Sequence, residues 1–214
     1  MNSIRLKHTF PEVFANRSDL QSEVWQQDVI FEKEKLYLVE ASSGTGKSSL
    51  CSFIYGYRQD YQGIITFDGQ NIRNLKVGDW TRLRQRHLSL MWQELRLFPE
   101  LTALENVLIK NRLTGYKKKR DILQWFDELG IADKQGSPLG LMSFGQQQRV
   151  AMMRALVQPF DFLLVDEPIS HLDDQNARTM ADIMMEEATR QGAGVVVTSI
   201  GKHVELNYDH VLKL

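Results

Sequence analysis

The sequence has only one cysteine, Cys51, and no apolar run long enough to cross a bilayer. A single cysteine cannot form an internal disulfide, and a membrane-spanning helix needs about 20 successive apolar residues. The first residues also lack the apolar segment of a secretory signal. We therefore expect a reduced cytoplasmic protein without a membrane span of its own, in which Cys51 is a buried packing residue rather than a nucleophile.

A net charge of one sign is lacking as well, because 27 acidic residues balance 26 basic ones. Surfaces that bind nucleic acid are rich in lysine and arginine, so this composition predicts no nucleic-acid partner. With 214 residues, 43% of them hydrophobic, the chain is long enough for one large domain or for a core with an inserted subdomain.

Residues 41–49 are the stretch around which the rest of the chain is organised. They read Ala-Ser-Ser-Gly-Thr-Gly-Lys-Ser-Ser, between the apolar run 36–39 and the helix-compatible segment 50–55. Glycines let a loop turn its N–H groups around a polyphosphate, a lysine reaches the β- and γ-phosphates, and a serine hydroxyl, here that of Ser48, binds Mg²⁺. The alternative is a serine- and glycine-rich turn without a ligand. We predict a nucleotide-binding loop formed by Ala41, Ser42, Ser43, Gly44, Thr45, Gly46, Lys47, Ser48 and Ser49.

Polar residues follow two further apolar runs that we interpret as core strands. One run ends at Gln93, and the other ends in Asp166 and Glu167. Ligands of open α/β sheets bind at the carboxyl ends of the strands, so these side chains are expected beside the phosphate loop. Gln93 is a candidate contact for Mg²⁺ and water, Asp166 is a candidate Mg²⁺ ligand, and Glu167 is a candidate to polarise the attacking water. The alternative is that Asp166 and Glu167 are two carboxylates of an ordinary turn.

A second anion site is predicted at residues 142–146, Met-Ser-Phe-Gly-Gln, which run into a helix over 147–156. Ser143 lies near the N-cap of that helix, where N–H groups and a capping hydroxyl together favour an anion. Ser143, Gly145 and Gln146 are therefore candidate phosphate contacts. Two phosphate sites in one chain suggest that a nucleotide is shared between a site of each kind.

Short apolar runs in the N-terminal part predict an antiparallel β layer. The runs are at 4–6, 23–25, 29–31 and 63–67, and the charged segment 32–35 is expected to be a hairpin turn. Aromatic side chains of such a layer often stack on a nucleotide base. Phe10, Phe14 and Trp25 are the candidates, with simple packing as the alternative.

Helical periodicity predicts helices over 76–86, 101–108 and 118–129. The last two form a helical insertion between the two halves of the core. The run 195–198 is expected to be the last core strand, and 211–214 is expected to be a final edge strand.

Taken together, these motifs resemble the nucleotide-binding subunit of an ATP-binding cassette (ABC) transporter over nearly the whole chain. The matching motifs follow one another in the order Walker A (41–49), Q-loop (Gln93), signature (142–146), Walker B (162–167) and D-loop (170–173). The segments 93–107 and 144–173 resemble the branch of lipoprotein-releasing, macrolide-export and cell-division cassettes.

The resemblance implies one ABC ATPase domain over 1–214 with an α/β, P-loop NTPase core. The core and its N-terminal antiparallel β layer would comprise 1–93 and 146–214, and the helical subdomain would comprise 94–145. It also implies that ATP and Mg²⁺ bind between two cassettes that face each other head to tail, and we expect the second cassette to be a copy of this chain, as in a homodimer. A membrane permease would dock near Gln93 and the helical insertion, and so hold the cassette at the inner face of the membrane.

Several positions depart from the family pattern. Ala41 replaces the first glycine of Walker A, and Met142 and Phe144 replace a leucine and a glycine of the signature. After the run 195–198 the family places a histidine that contacts the γ-phosphate and the attacking water, whereas this chain has Ser199. Loss of such a donor costs on the order of 10² to 10³ in rate. Ser199 is therefore included in the candidate catalytic site, and slow turnover is expected.

His203, four residues beyond Ser199, either swings into the site or is a surface side chain. Three functions remain open at this point. The favoured one is an ATPase that drives a permease, which Glu167 supports. The second is an ATP-gated clamp or signalling module with little hydrolysis, which Ser199 supports. A soluble ABC protein acting on DNA or the ribosome is disfavoured because the chain has no room for a coiled-coil insertion or a second cassette.

Overall fold

The computed structural model describes residues 1–17, 20–168, 173–201, 203 and 205–214. Within these residues the strands are β1 (Ser3–Pro11), β2 (Asp28–Glu32), β3 (Leu36–Glu40), β4 (Tyr61–Phe67), β5 (Gln70–Asn71), β6 (Leu88–Met91), β7 (Phe162–Asp166), β8 (Gly194–Ser199) and β9 (His210–Lys213). The α-helices are α1 (Lys47–Ile54), α2 (Val77–Arg86), α3 (Ala103–Asn111), α4 (Lys119–Glu128), α5 (Phe144–Leu156) and α6 (Asp174–Gln191).

The strands form two sheets. A five-stranded sheet has the order β6-β7-β8-β3-β9, and all its pairs are parallel. Strand β7 is buried along its whole length, as expected for a parallel strand covered on both faces. The second sheet is antiparallel, with the order β2-β1-β4-β5. The predicted α/β fold with an antiparallel layer is therefore confirmed, and β9 is an edge strand as expected.

Two expectations about the N-terminal part are wrong. The run 23–25 forms bends and a turn rather than a strand. The segment 32–35 does turn the chain, but it is not a hairpin, because β2 pairs with β1 whereas β3 pairs with β8 and β9. The apolar residues Val24 and Trp25 are buried, Trp25 against the phosphate loop, and such burial does not require strand pairing.

The predicted helices are present, with altered ends. Helix α5 begins at Phe144, three residues before the expected start, because Ser143 and Gln146 form a capping box there. Thr102 and Glu105 form a second capping box at the start of α3. Gly130, with φ of 64°, follows α4 in the left-handed conformation that commonly ends a helix.

Side chains of α3 and α4 share one hydrophobic cluster with α5, α6, β7 and β8. The helical insertion therefore belongs to the core on one face of the parallel sheet, and its helix α3 packs against α5, which in turn contacts β6. The boundaries proposed for it, 94–145 against 1–93 and 146–214, stay a prediction. A second cluster lies between the antiparallel sheet, α1 and the other face of the parallel sheet. No helix among the described residues is long and apolar enough to cross a membrane.

Candidate nucleotide site

The site lies at the carboxyl edge of the parallel sheet. Because all five strands run the same way, the residues that end β3, β6, β7 and β8 meet at one edge. The phosphate loop follows β3, Gln93 follows β6, and Glu167 follows β7, while Ser199 is the last residue of β8. The sequence placed these residues at strand ends, and the strand order brings them together.

The loop adopts the backbone conformation for which its glycines are needed. Gly44 and Gly46 have φ of 78° and 100°, and α1 begins directly afterwards at Lys47. A Cβ atom on Gly46 would lie 3.0 Å from Phe14 Cε2 and 3.2 Å from Trp25 Cζ2. Trp25 also stabilises the loop, because its indole Nε1 donates a hydrogen bond of 2.9 Å to the carbonyl oxygen of Thr45.

Lys47, Glu167 and Gln93 form a polar cluster at this edge. Nζ of Lys47 lies 2.9 Å from Oε1 of Glu167, and the two side chains are only 7% and 11% exposed. Nε2 of Gln93 donates a hydrogen bond of 3.1 Å to the other oxygen, Oε2. The carboxylate of Glu167 is thus held between the loop lysine and the residue that follows β6, where it can orient or polarise a water molecule.

Asp166 lies deeper in the same edge and is 1% exposed. Burial raises the pKa of its carboxyl above the ordinary value, although hydrogen bonds from Thr198 and Ser48 partly offset this effect. Thr198 Oγ1 donates to Asp166 Oδ1 over 2.6 Å. Cys51 is fully buried nearby, and this burial raises the pKa of its thiol, as expected for a packing residue rather than a nucleophile.

Two features of this cluster were not predicted from the sequence. Thr198 was not singled out, although it is a polar residue at the end of an apolar strand and pairs with Asp166 in register. Glu167 has φ of 50°, a left-handed conformation that is uncommon outside glycine, and its N–H donates to the carbonyl oxygen of Thr198 over 3.1 Å. Strained backbone of this kind concentrates at functional sites.

Ser199 is 3% exposed and lies at the entrance of the loop, where its carbonyl oxygen accepts a hydrogen bond of 3.0 Å from the N–H of Ala41. His203 has Nδ1 3.8 Å from Glu40 Oε1, and its ring centroid is 5.9 Å from that of Tyr208. Within the described residues, no hydrogen bond or ion pair joins His203 to Glu167. The arrangement favours the interpretation of His203 as a side chain outside the cluster.

The remaining residues of the phosphate loop are not members of the cluster formed by Lys47, Glu167 and Gln93. Thr45 Oγ1 donates to the carbonyl oxygen of Ser42 over 2.9 Å, and Ser49 accepts a hydrogen bond of 3.1 Å from Arg58. Ser42, Ser43 and Gly44 are exposed. The three aromatic side chains considered for base stacking, Phe10, Phe14 and Trp25, are all buried, which favours packing.

The second predicted phosphate site, at the start of α5, is separate from the loop. Ser143 Oγ accepts from the N–H of Gln146 over 3.3 Å, and Gln146 Oε1 accepts from the N–H of Ser143 over 3.0 Å. Among the described residues, no hydrogen bond or ion pair connects Ser143, Gly145 or Gln146 to residues 41–49. Of the predicted D-loop, Ser170, His171 and Leu172 lie outside the described residues, whereas Asp173 caps α6.

Comparisons with known proteins identify the family. The family model described as ABC transporter matches residues 27–170, which include the loop, Gln93, the start of α5 and β7. The chain belongs to the ABC transporter family. The prediction of this family, and of an ABC-type ATP-binding and ATP-hydrolysing cassette as its class, is thereby confirmed.

Two of the similar proteins are ATP-binding proteins of ABC transporters. The chain is 30% identical over 176 residues to the uncharacterized ABC transporter ATP-binding protein YclH of Bacillus subtilis, covering 80% of this chain and 76% of that protein. It is 31% identical over 185 residues to the lipoprotein-releasing system ATP-binding protein LolD of Coxiella burnetii, covering 85% and 79%.

A solved structure shows the same fold. The dimeric structure of MJ0796, a bacterial ABC transporter cassette, matches with a TM-score of 0.75 at 23% identity, and covers 92% of this chain and 87% of that one.

Proposed function

We propose that the chain is the ATP-binding and ATP-hydrolysing subunit of an ABC transporter, in which ATP draws two cassettes together and so drives a membrane permease. The observation that carries the proposal is the contact of Glu167 with both Lys47 and Gln93 at the carboxyl edge of the sheet. One carboxylate, one cation and one amide are the groups that γ-phosphate hydrolysis requires beside a phosphate loop.

Each group has a proposed role. The N–H groups of residues 41–49 and the ammonium of Lys47 hold the β- and γ-phosphates. Glu167 orients and polarises the attacking water, and Gln93 holds the Glu167 carboxylate and senses the γ-phosphate. Ser199 occupies the place of the family histidine, so a donor to the transition state is lacking there and turnover by the chain alone is slow.

The residues at this edge fit Mg²⁺. Ser48 and Gln93 offer neutral oxygen ligands, and Asp166 offers a buried carboxylate whose raised pKa reflects its unfavourable burial as an anion. Hard divalent cations prefer such oxygen donors, and a cation would relieve this cost. Held by Ser48, Gln93 and Asp166, Mg²⁺ would supply positive charge that offsets the negative charge developing on the phosphates.

The site is completed by a second cassette in this proposal. Ser143, Gly145 and Gln146 have the chemistry of a phosphate site but lie apart from the loop of their own chain. Across a head-to-tail homodimer, each α5 start would meet the nucleotide held by the partner's loop. MJ0796 is a dimeric cassette, and LolD belongs to a lipoprotein-releasing system. By analogy, the partner permease holds this chain peripherally at the inner face of the membrane, and no nucleic acid is involved.

The test uses Glu167→Gln, which keeps the size of the side chain but removes the carboxylate. With Mg-ATP, the variant should form a dimer that is stable in size-exclusion chromatography, because ATP is bound but not cleaved. Glu186→Gln, at an exposed position of α6, is the control and should behave like the unaltered chain. A Glu167→Gln chain that stays monomeric with Mg-ATP and retains full turnover would refute the proposal.

The second candidate function is an ATP-gated clamp with little hydrolysis, and Ser199 is the observation that favours it. The two functions differ in the effect of the permease. An ATPase should turn over faster once the permease is reconstituted with it, whereas a clamp should show the same residual turnover with and without the permease, and Glu167→Gln should change little.

A further inference from the structure

The connection from α3 into α4 carries a basic cluster that the nucleotide site does not use. The formal net charge of the whole chain is −1, yet the segment 112–120 contains five cations and no acid. These cations are Arg112, Lys117, Lys118, Lys119 and Arg120, and all except Lys117 are exposed. We call the segment 112–120 the basic tip. A one-signed cluster on an almost neutral protein is the electrostatic mark of an anionic partner.

The backbone of the basic tip is held in one shape by a buried side chain. Asn111, which is 8% exposed, donates from Nδ2 to the carbonyl oxygen of Lys117 over 2.9 Å and accepts at Oδ1 from the N–H of Lys117 over 3.0 Å. The N–H of Gly115 donates to the carbonyl oxygen of Asn111 over 2.7 Å. These bonds close the loop at its base, so Arg112 and Lys118, the residues next to the closing pair, are brought near each other.

One cation of the basic tip is anchored to the core. Nζ of Lys117 lies 2.6 Å from Oε2 of Glu187 on α6, and the two side chains are 9% and 3% exposed. The hydroxyl of Tyr116 donates to Oε1 of the same carboxylate over 3.0 Å. Burial would raise the pKa of Glu187, but hydrogen bonds from Lys117 and Arg190 lower it below the ordinary value. A buried polar network whose members are paired is rigid, so the basic tip keeps a fixed position on α6.

Two exposed apolar side chains lie beside these cations. Ile109 is 42% exposed and Leu113 is 54% exposed. The helical conformation of α3 continues through Arg112, with φ of −58° and ψ of −24°, so residues four apart lie on the same side of the chain. Apolar side chains flanked by lysine and arginine are typical of segments that lie at the boundary between water and the acyl chains of a membrane.

The exposed cations are largely without counter-charges from the chain itself. Nε of Arg120 lies 3.1 Å from Oδ1 of Asp121. For Arg112, Lys118 and Lys119, no carboxylate in the described part of the chain comes within 4.0 Å of the charged group. The basic tip therefore presents a positive surface that an anionic partner can neutralise.

We propose that the basic tip binds the anionic headgroups of a lipid membrane, with Ile109 and Leu113 entering the boundary between the headgroups and the acyl chains. The chain then contacts lipid directly, in addition to any contact with a permease. Each cation at an anionic membrane surface strengthens binding about fivefold, which corresponds to about 1 kcal/mol. The inference goes beyond the proposed function and does not depend on it, because lipid vesicles without a permease or a nucleotide test it.

The apolar pair favours lipid over nucleic acid. A nucleic-acid backbone is contacted by cations and hydrogen-bond donors, whereas a membrane interface also buries apolar side chains such as Ile109 and Leu113. The loop closes on itself through Asn111, so its cations form a compact cluster rather than a groove that follows a strand. A lipid surface also presents many phosphates together, so weak contacts add up in a way that a free phosphate cannot match.

The first experiment measures binding of the full chain to vesicles by co-sedimentation. The chain should bind vesicles that contain about a third of phosphatidylglycerol, and should bind vesicles of phosphatidylcholine alone far more weakly. Raising the salt from about 0.1 M to about 1 M shortens the Debye length from about 10 Å to about 3 Å and should release the chain. Equal binding to both kinds of vesicle, displacement by glycerol phosphate at the same phosphate concentration, or tighter binding to duplex DNA than to the anionic vesicles would overturn the inference.

The second experiment assigns the binding to the basic tip. Lys118→Gln with Lys119→Gln should weaken binding to the anionic vesicles about 25-fold, two factors of five, and glutamate at both positions should weaken it further. The matched control, Arg82→Gln with Arg86→Gln, removes two charges at exposed positions of α2 and should cause a much smaller loss. Leu113→Gln should weaken binding about fivefold with little dependence on salt, because an apolar contribution is not screened.

The outcomes separate a loss of contact from a loss of structure. A graded loss from lysine through glutamine to glutamate, at an unchanged Tm, supports the inference and cannot come from misfolding. Undiminished vesicle binding by both the glutamine and the glutamate variants, or an equal loss in the α2 control, contradicts it. ATP binding and hydrolysis in solution should be the same in all these variants, because none of the altered residues lies at the nucleotide site.

Discussion

The ammonium of Lys47 lies 2.9 Å from Oε1 of Glu167, so the cation of the phosphate loop is paired with the proposed catalytic carboxylate. Both side chains are largely buried, which makes the pair stronger than an ion pair on the surface. A nucleotide phosphate that approaches Lys47 must compete with Glu167 for the same ammonium. In the proposed mechanism, binding of the phosphate to Lys47 would free the Glu167 carboxylate for the attacking water.

Removal of the competing carboxylate should tighten nucleotide binding. We expect Glu167→Gln to lower the Kd for ADP about fivefold, which corresponds to about 1 kcal/mol. Isothermal titration calorimetry checks this, and ADP is used because it lacks the γ-phosphate that would join two cassettes. The exposed Glu186→Gln should leave the Kd unchanged. Weaker ADP binding by Glu167→Gln would show that Glu167 does not compete for Lys47.

Restoring the hydrogen-bond donor of the family histidine at position 199 should raise the kcat of ATP hydrolysis. Ser199 ends β8 beside the loop entrance, and the family places a histidine there. We expect Ser199→His to increase kcat about tenfold, part of the 10² to 10³ that one transition-state donor contributes. A steady-state phosphate-release assay measures it.

His203→Ala is the matched variant for this test and should not change kcat, because His203 contacts Glu40 and Tyr208. A large loss of activity in His203→Ala would identify His203 as the donor and make the Ser199 interpretation wrong.

The residues of the site were predictable because each carries its chemistry in a local pattern. Gly46 and Lys47 belong to a loop signal, and Glu167 ends an apolar strand. Their contact was not predictable, because it depends on the strand order β6-β7-β8-β3-β9, and that order is set by crossover connections. The same limit explains the error at 23–25, where Trp25 is positioned by its hydrogen bond to Thr45, a tertiary contact that a short apolar run does not encode.

The buried Asp166 carboxylate should lower the stability of the folded protein when no nucleotide is bound. Burial raises its pKa, so the ionised form is disfavoured in the folded state. Stability therefore falls as the pH rises from the unfolded-state pKa through the folded-state pKa, and the cost persists at neutral pH. Asp166→Asn should raise Tm at pH 7, and this gain should vanish in acid, where both forms are neutral. The Asn carbonyl can still accept from Thr198.

The same variant should lose its response to Mg-ATP. At 100 times Kd a ligand stabilises the native state by about 2.7 kcal/mol, and Asp166→Asn should lose most of that gain. Thermal denaturation with and without Mg-ATP measures both effects. Asp182→Asn, at an exposed position of α6, is the control. A lower Tm without nucleotide, together with an unchanged response to Mg-ATP, would contradict the role of Asp166.

Lys110 should reduce the stability of the isolated chain in a pH-dependent way. Burial and the nearby Arg154 lower its pKa to about 8 in the folded state, against 10.5 as the ordinary value. Below pH 8 the folded protein carries a poorly solvated charge, and this cost is relieved between pH 8 and about 10.5 as the folded state loses the proton first.

Lys110→Met should therefore stabilise the chain by about 2 kcal/mol at pH 7 and by less at pH 10. Urea unfolding at both pH values measures the difference, and Lys119→Met, at an exposed position, should show none. An equal effect of Lys110→Met at the two pH values would mean that the Lys110 ammonium is well solvated in the folded protein.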